Sequence, residues 1–174
     1  MRWAALPRAI NAGKPLAMAD LRAFLAGEGM GEVQTLLASG NAVFSCDEED
    51  AGAIEARLQA AARSRLALDT DWFVRSHAEL VSVTAANPFP DATIERPNRV
   101  LVLFHHAPVD PARLPVGYGG PERLHAIGRE LFVDYPDGIG RSKLEPALNR
   151  AKLPPSTARN WNTLLKLVEA TRAA

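Results

Sequence analysis

The stretch Glu32-Val33-Gln34-Thr35-Leu36-Leu37-Ala38-Ser39-Gly40-Asn41-Ala42-Val43-Phe44-Ser45 decides the fold. Glu32–Ala38 is an apolar-rich run of strand length, Ser39-Gly40-Asn41 is a tight turn, and Ala42–Ser45 returns as the hairpin partner. The flanks settle the rest. Upstream, Leu21, Phe24 and Leu25 recur at helical spacing until Gly27, Gly29 and Gly31 end the pattern. Before them, Trp3–Ile10 reads as a strand whose Pro7 points to an edge or a bulge. Downstream, the acidic run Asp47–Asp50 opens a helix, where negative charge suits the N-terminal dipole. Ile54, Leu58 and Ala61 or Ala62 form its buried stripe. Asp71–Arg75 is then another strand, and the order β-α-β-β-α-β is that of the ferredoxin-like unit.

The second half repeats much of this order. A helix from about His77 to Ala86 ends at Asn87-Pro88-Phe89, because Pro88 cannot continue it. A Pro-rich connection, Pro88 to Pro97, leads to Val100–Phe104, a continuous apolar run expected of a strand buried on both faces. A helical turn is expected near Pro111–Leu114. Leu124–Ile127 and Glu130–Tyr135 then flank Gly128-Arg129 as a hairpin, and Ser142–Arg150 is a helix. A last helix, beginning near Thr157, carries Trp161, Leu164, Leu165 and Val168 as its buried face. The expected fold class is α+β, two ferredoxin-like subdomains packed together. Residues 1–76 form the first, 77–97 a helix and connection, and 98–174 the second with the C-terminal helix.

Composition removes whole classes of function. With 174 residues, 47 % of them apolar and 23 % charged, the chain is globular rather than disordered. A net charge of zero argues against a polycation that binds nucleic acid by bulk electrostatics. The charge is uneven, however: residues 140–174 carry seven cations and two acids, a net +5, leaving −5 for residues 1–139. The bland account of that segment is a solvated helix face. A single cysteine, Cys46, excludes an intramolecular disulfide and fits a reducing compartment. No signal-peptide pattern and no apolar run of about 20 residues is visible, so the expectation is a cytoplasmic protein with no membrane partner.

Chemistry concentrates at Tyr135-Pro136-Asp137-Gly138-Ile139-Gly140-Arg141-Ser142-Lys143-Leu144. A strand ends at a turn, and a hydroxyl and two cations follow where a helix begins. Glycines allow close backbone approach, free N–H groups at a helix start favour anions, and Arg141 and Lys143 complement phosphate or carboxylate. The competing account is a glycine turn with Ser142 as helix cap and the cations in solvent. A second cluster, Thr157-Ala158-Arg159-Asn160-Trp161-Asn162-Thr163, is dense in hydrogen-bonding groups where the final helix is expected, with Ser156 or Thr157 as its cap. Arg8 and Asn11 leave the first strand into a glycine-containing loop. The candidate ligand-binding set is Arg8, Asn11, Asp137, Arg141, Ser142, Lys143, Arg159 and Asn160. His77, His105, His106 and His125 lack metal-ligand spacing, so no metal is expected, and nothing identifies a cofactor. No nucleophile elbow or Cys/His pair is visible, and catalytic residues are not assigned.

These pieces also carry a resemblance. Arg8-Ala9-Ile10-Asn11, Ser39-Gly40-Asn41, Val74-Arg75-Ser76, Asn87-Pro88-Phe89, Tyr135–Leu144 and Thr157–Thr163 occur in the order of the bacterial family called domain of unknown function 1697, which the chain resembles over nearly its whole length. The resemblance implies two ferredoxin-like subdomains and supplies no activity. Where the family shows Arg-Gly-Ile-Asn-Val-Gly-Gly, this chain reads Arg8-Ala9-Ile10-Asn11-Ala12-Gly13-Lys14.

Three functions compete. The first is binding of a small anionic ligand at a basic corner between the subdomains, which needs Arg8, Asn11, Arg141, Lys143 and Arg159 to converge. The second is an enzyme using the same pocket, with Asp137 or Tyr135 as acid or base. The third is nucleic-acid binding through the basic C-terminal segment, an analogy with other ferredoxin-like units. Ligand, reaction and oligomeric state are not encoded in any motif of the chain.

Overall fold

The first half forms four strands, β1 (Arg2–Pro7), β2 (Gly31–Leu36), β3 (Asn41–Ser45) and β4 (Trp72–Ser76). They form an antiparallel sheet in the order β2-β3-β1-β4. Helix α1 (Met18–Gly27) and helix α2 (Ala51–Leu66) supply Leu21, Phe24, Leu25, Ile54, Leu58 and Ala62 to one core with Trp3, Ala5, Phe44, Trp72 and Val74. Asp50 caps α2 by accepting from the Gly52 N–H at 3.0 Å. The structure describes residues 1–8, 16–37, 40–115 and 117–173, and this computed structural model divides them into two units. Met1–Ser82 with Lys166–Ala174 make the first, and Val83–Leu165 the second.

The second unit holds β5 (Val100–His105), β6 (Arg123–Ile127), β7 (Glu130–Asp134) and β8 (Ser156–Asn160), antiparallel in the order β6-β7-β5-β8. With β5 to β8 set against β1 to β4, the two orders are the same. The fold is therefore α+β, two sheets in the strand order of the ferredoxin-like unit. Helix α5 (Leu144–Ala151) packs Leu144 and Ala147 on Leu131, Val133 and Tyr135. Among the described residues between β5 and β6 there is a 3₁₀ turn, Pro111–Arg113, where the first unit has α1. Helix α3 (His77–Ala85) follows β4, and α6 (Trp161–Thr171) follows β8. Among the described residues no helix is long and apolar enough to cross a membrane.

Several sequence expectations are corrected. Pro7 marks neither an edge strand nor a bulge: β1 is an inner strand, and Pro7 is its last residue, pairing with Trp72 of β4 beyond the end of the β3 ladder. The missing N–H is thus needed on no second side. The Pro-rich connection contains helix α4 (Pro90–Glu95), with Pro90 at its first position, where proline's fixed φ is favourable. Helix α5 starts at Leu144 rather than Ser142. Thr157–Asn160 is strand, not helix, and α6 begins only at Trp161. The buried face of α6 is Trp161, Leu164, Leu167 and Thr171, while Leu165 is 46 % exposed and Val168 half-buried. Of the hairpin turn, Gly40 and Asn41 are described and Ser39 lies outside the described residues.

Candidate functional site

The turn after β7 is built tightly. The Gly138 N–H donates to Tyr135 O at 3.0 Å, and Gly138 adopts φ 82°, ψ 156°, a conformation that strains any residue with a Cβ. Arg99 clamps the turn: its guanidinium donates to Pro136 O at 2.8 Å, and its carbonyl accepts from the Tyr135 N–H at 2.9 Å. A 3₁₀ turn, Ile139–Arg141, then leads to α5. The Ser142 hydroxyl accepts from the Leu144 N–H at 3.0 Å, so it organises the helix entry. Arg141 and Lys143, on either side of Ser142, remain exposed.

Those two cations line a hollow of about 500 Å³ together with Asp137 and the loop Tyr118-Gly119-Gly120-Pro121-Glu122. Tyr118 Oη and Glu122 Oε2 are shut off from solvent and have no hydrogen-bond partner among the described residues. Gly120 is glycine for space: a Cβ there would overlap both atoms. Tyr135 lies buried beside this corner, and its phenol is pushed up to about 12, chiefly by burial and further by the carboxylates of Glu122 and Glu145. It keeps its proton at neutral pH and is no general base there.

The other expected residues fall elsewhere. Arg159 does not begin a helix and does not line this hollow. It is the fourth residue of β8, paired with Val102 of β5, and its guanidinium donates to Thr157 Oγ1 at 2.7 Å and Ala158 O at 2.9 Å. Burial alone pulls its pKa down to about 10. Asn160 caps α6, its Oδ1 accepting from the Thr163 N–H at 2.9 Å. Arg8 is exposed just past β1 in the first unit; its backbone N–H donates to Asp71 O at 3.0 Å and its carbonyl accepts from Thr70 Oγ1. Asn11 lies outside the described residues.

The Tyr118–Glu122 wall was not singled out in the sequence. Its signal is a tyrosine inside Gly117-Tyr118-Gly119-Gly120-Pro121, which has no periodicity and reads as an ordinary loop. In the first unit, a hollow of about 570 Å³ is lined by Gly29, Cys46, Asp47, Glu48, Glu49 and Arg57. Its Glu48 carboxylate already accepts from the Glu49 and Asp50 N–H groups at 2.9 Å, so this is a self-satisfied acidic loop. Among the described residues, no group of three His, Cys, Asp or Glu side chains is arranged to hold a metal ion.

The chain is similar to a conserved bacterial protein from Streptococcus pneumoniae of solved structure, with 22 % sequence identity, a TM-score of 0.76 and 98 % of each chain covered. At that identity the likeness shows the fold alone. No curated protein matches the chain. The model of a family described as proteins of unknown function, DUF1697, matches residues 1–132, which takes in the whole first sheet, strands β5 and β6 and the Tyr118–Glu122 loop, and stops before the Tyr135–Leu144 corner. That span is well over half of the chain, and the chain therefore belongs to the DUF1697 family.

Proposed function

We propose that the second unit is a binding module for a small anionic ligand, one bearing phosphate or carboxylate, held at the corner of Asp137, Arg141 and Lys143. A single observation carries this reading: two exposed cations from separate turns of one short segment line the same hollow. Side chains that served only solubility would gain nothing from sharing a concave surface, where their repulsion is greatest. Ser142 contributes by holding the helix entry, and the Arg99 clamp holds the turn that presents both cations. Preorganisation of this kind lowers the ordering cost of binding.

Neither alternative gains comparable support. For an enzyme, Tyr135 is buried with a raised pKa, which leaves Asp137 at the rim without a second group of matched role. For nucleic acid, the C-terminal cations are dispersed: Arg159 is buried in β8, and Arg172 pairs with Glu169 at 3.4 Å. The test is titration calorimetry with ethyl phosphate at low ionic strength. Binding should weaken about tenfold or more in an Arg141→Ala, Lys143→Ala double variant that keeps its melting temperature, a loss of about 1.4 kcal/mol or more. It should also weaken as salt is raised. Equal binding by both proteins defeats the reading.

A further inference from the structure

An anion alone leaves Asp137 without a purpose. Its carboxylate lines the hollow with Arg141 and Lys143, and at short range it repels any anion those cations attract. Nor does the fold use it. The side chains of Asp137, Arg141 and Lys143 make no hydrogen bond or ion pair among the described residues. Other exposed aspartates are engaged: Asp50 accepts from the Gly52 N–H and Asp110 from the Ala112 N–H, each at 3.0 Å, and Asp91 pairs with Arg123 at 3.0 Å. Yet the place of Asp137 is fixed. It is the third residue of the turn that the Gly138 N–H closes onto Tyr135 O and that Arg99 clamps through Pro136 O. Resting on the anion-binding reading, we propose that the ligand is a small phosphorylated polyol or sugar. Its phosphate meets Arg141 and Lys143, and its neighbouring hydroxyls donate to Asp137.

The chemistry of the lining selects that class. A carboxylate only accepts, so whatever meets Asp137 must donate. An ammonium donates, but the two cations lining the same hollow repel it, whereas a hydroxyl donates without charge. Two adjacent hydroxyls match the two carboxylate oxygens, and a lone acidic side chain holds a ribose hydroxyl in dinucleotide sites by the same kind of contact. A bare phosphate brings no donor of this sort and leaves the repulsion of Asp137 uncompensated, so the acid also discriminates against simple anions. At about 500 Å³ the hollow has the size of a small-metabolite site. The facing loop closes it as a wall: Tyr118 Oη and Glu122 Oε2 are shut off from solvent around Gly120 and offer a ligand nothing.

Calorimetry of the full chain compares propyl phosphate with glycerol 3-phosphate, which share a carbon chain and a phosphate and differ by two adjacent hydroxyls. Glycerol 3-phosphate should bind with a Kd at least about tenfold lower, the return expected from hydrogen bonds to a charged acceptor. In Asp137→Ala that advantage should vanish, while propyl phosphate should bind more tightly because a repelling carboxylate is gone. The side chain bonds to nothing among the described residues, so the variant should keep its melting temperature. O-phosphoethanolamine should bind more weakly than glycerol 3-phosphate; if it binds more tightly, the donor is an ammonium and the proposal falls. If propyl phosphate and glycerol 3-phosphate bind equally, the polyol proposal is overturned and the anion reading survives. An advantage that persists in Asp137→Ala overturns it as well. If no probe binds, both readings fall together.

Discussion

Asp134 ends β7 fully buried, yet it is met by two guanidiniums. Arg96 donates to its two oxygens at 2.9 and 2.7 Å in a bidentate pair, and Arg123 donates to Oδ2 from Nε at 3.0 Å and Nη2 at 2.9 Å. Arg123 also reaches Asp91 and lies 4.6 Å above the centre of the Phe89 ring. Burial by itself would raise the Asp134 carboxyl, but the hydrogen bonds and charges of both arginines outweigh it and hold the group below its ordinary 3.8. Because the folded value is depressed, this stabilisation is present above about pH 4 and is lost as pH falls through the lower folded value. Asp134→Asn should therefore cost about 3 kcal/mol near neutrality, the low end for breaking a buried ion pair because Arg123 is 42 % exposed. Urea unfolding of both proteins between pH 7 and pH 2 checks this. The variant should also lose less stability on acidification, and parallel curves would contradict the assignment.

At the scale of elements, the two strand-to-helix junctions are built alike. Arg75 is the fourth residue of β4 and buried, and Ser76 then caps α3: its hydroxyl accepts from the Glu79 N–H at 3.2 Å while its own N–H donates to the Glu79 carboxylate at 2.8 Å. Arg159 is the fourth residue of β8 and buried, and Asn160 caps α6. Ser76→Ala and Asn160→Ala should each cost about 1 kcal/mol in denaturant unfolding. The first junction was legible because Trp72-Phe73-Val74 announces a strand, and the second was not. In β8 the usual polarity is inverted, with Thr157 and Arg159 buried and Ala158 exposed, so no apolar alternation exists to be read. Helix α6 was found but its face was misjudged. Leu164, Leu165, Leu167 and Val168 permit two stripes, and only packing selects the one that ends at Thr171. Leu167→Ala should therefore cost about 2–5 kcal/mol, whereas Leu165→Ala should stay within about 0.5 kcal/mol. The reverse ranking in thermal unfolding would restore the other face.

At the scale of the whole molecule, the α+β class and the strand order were legible because hairpins and helices leave periodic marks. The site was legible only in half. Arg141 and Lys143 stand beside glycines and a turn, whereas the facing Tyr118–Glu122 loop takes its position from tertiary structure. Chain order likewise hides that the end of α6 belongs with the first unit. Within that unit, Arg2 Nη2 donates to Ala170 O at 3.1 Å, and His77 Nδ1 lies 3.0 Å from Thr171 Oγ1. Thr171 and Leu167 are buried, so a nine-residue tail completes a unit that begins at the other terminus. A chain ending at Leu165 should therefore lose more than about 3 kcal/mol, since one buried leucine accounts for roughly 2–5 kcal/mol, and the Ala170 carbonyl that Arg2 meets and the Thr171 hydroxyl beside His77 go with it. A chain ending at Thr171 loses the exposed Arg172 and Ala173 with the Arg172–Glu169 surface pair, and should lose under about 0.5 kcal/mol. Guanidinium midpoints of the two truncations and the full chain decide the matter. Coincident midpoints for the chains ending at Leu165 and Thr171 would show that the first unit stands without its C-terminal segment.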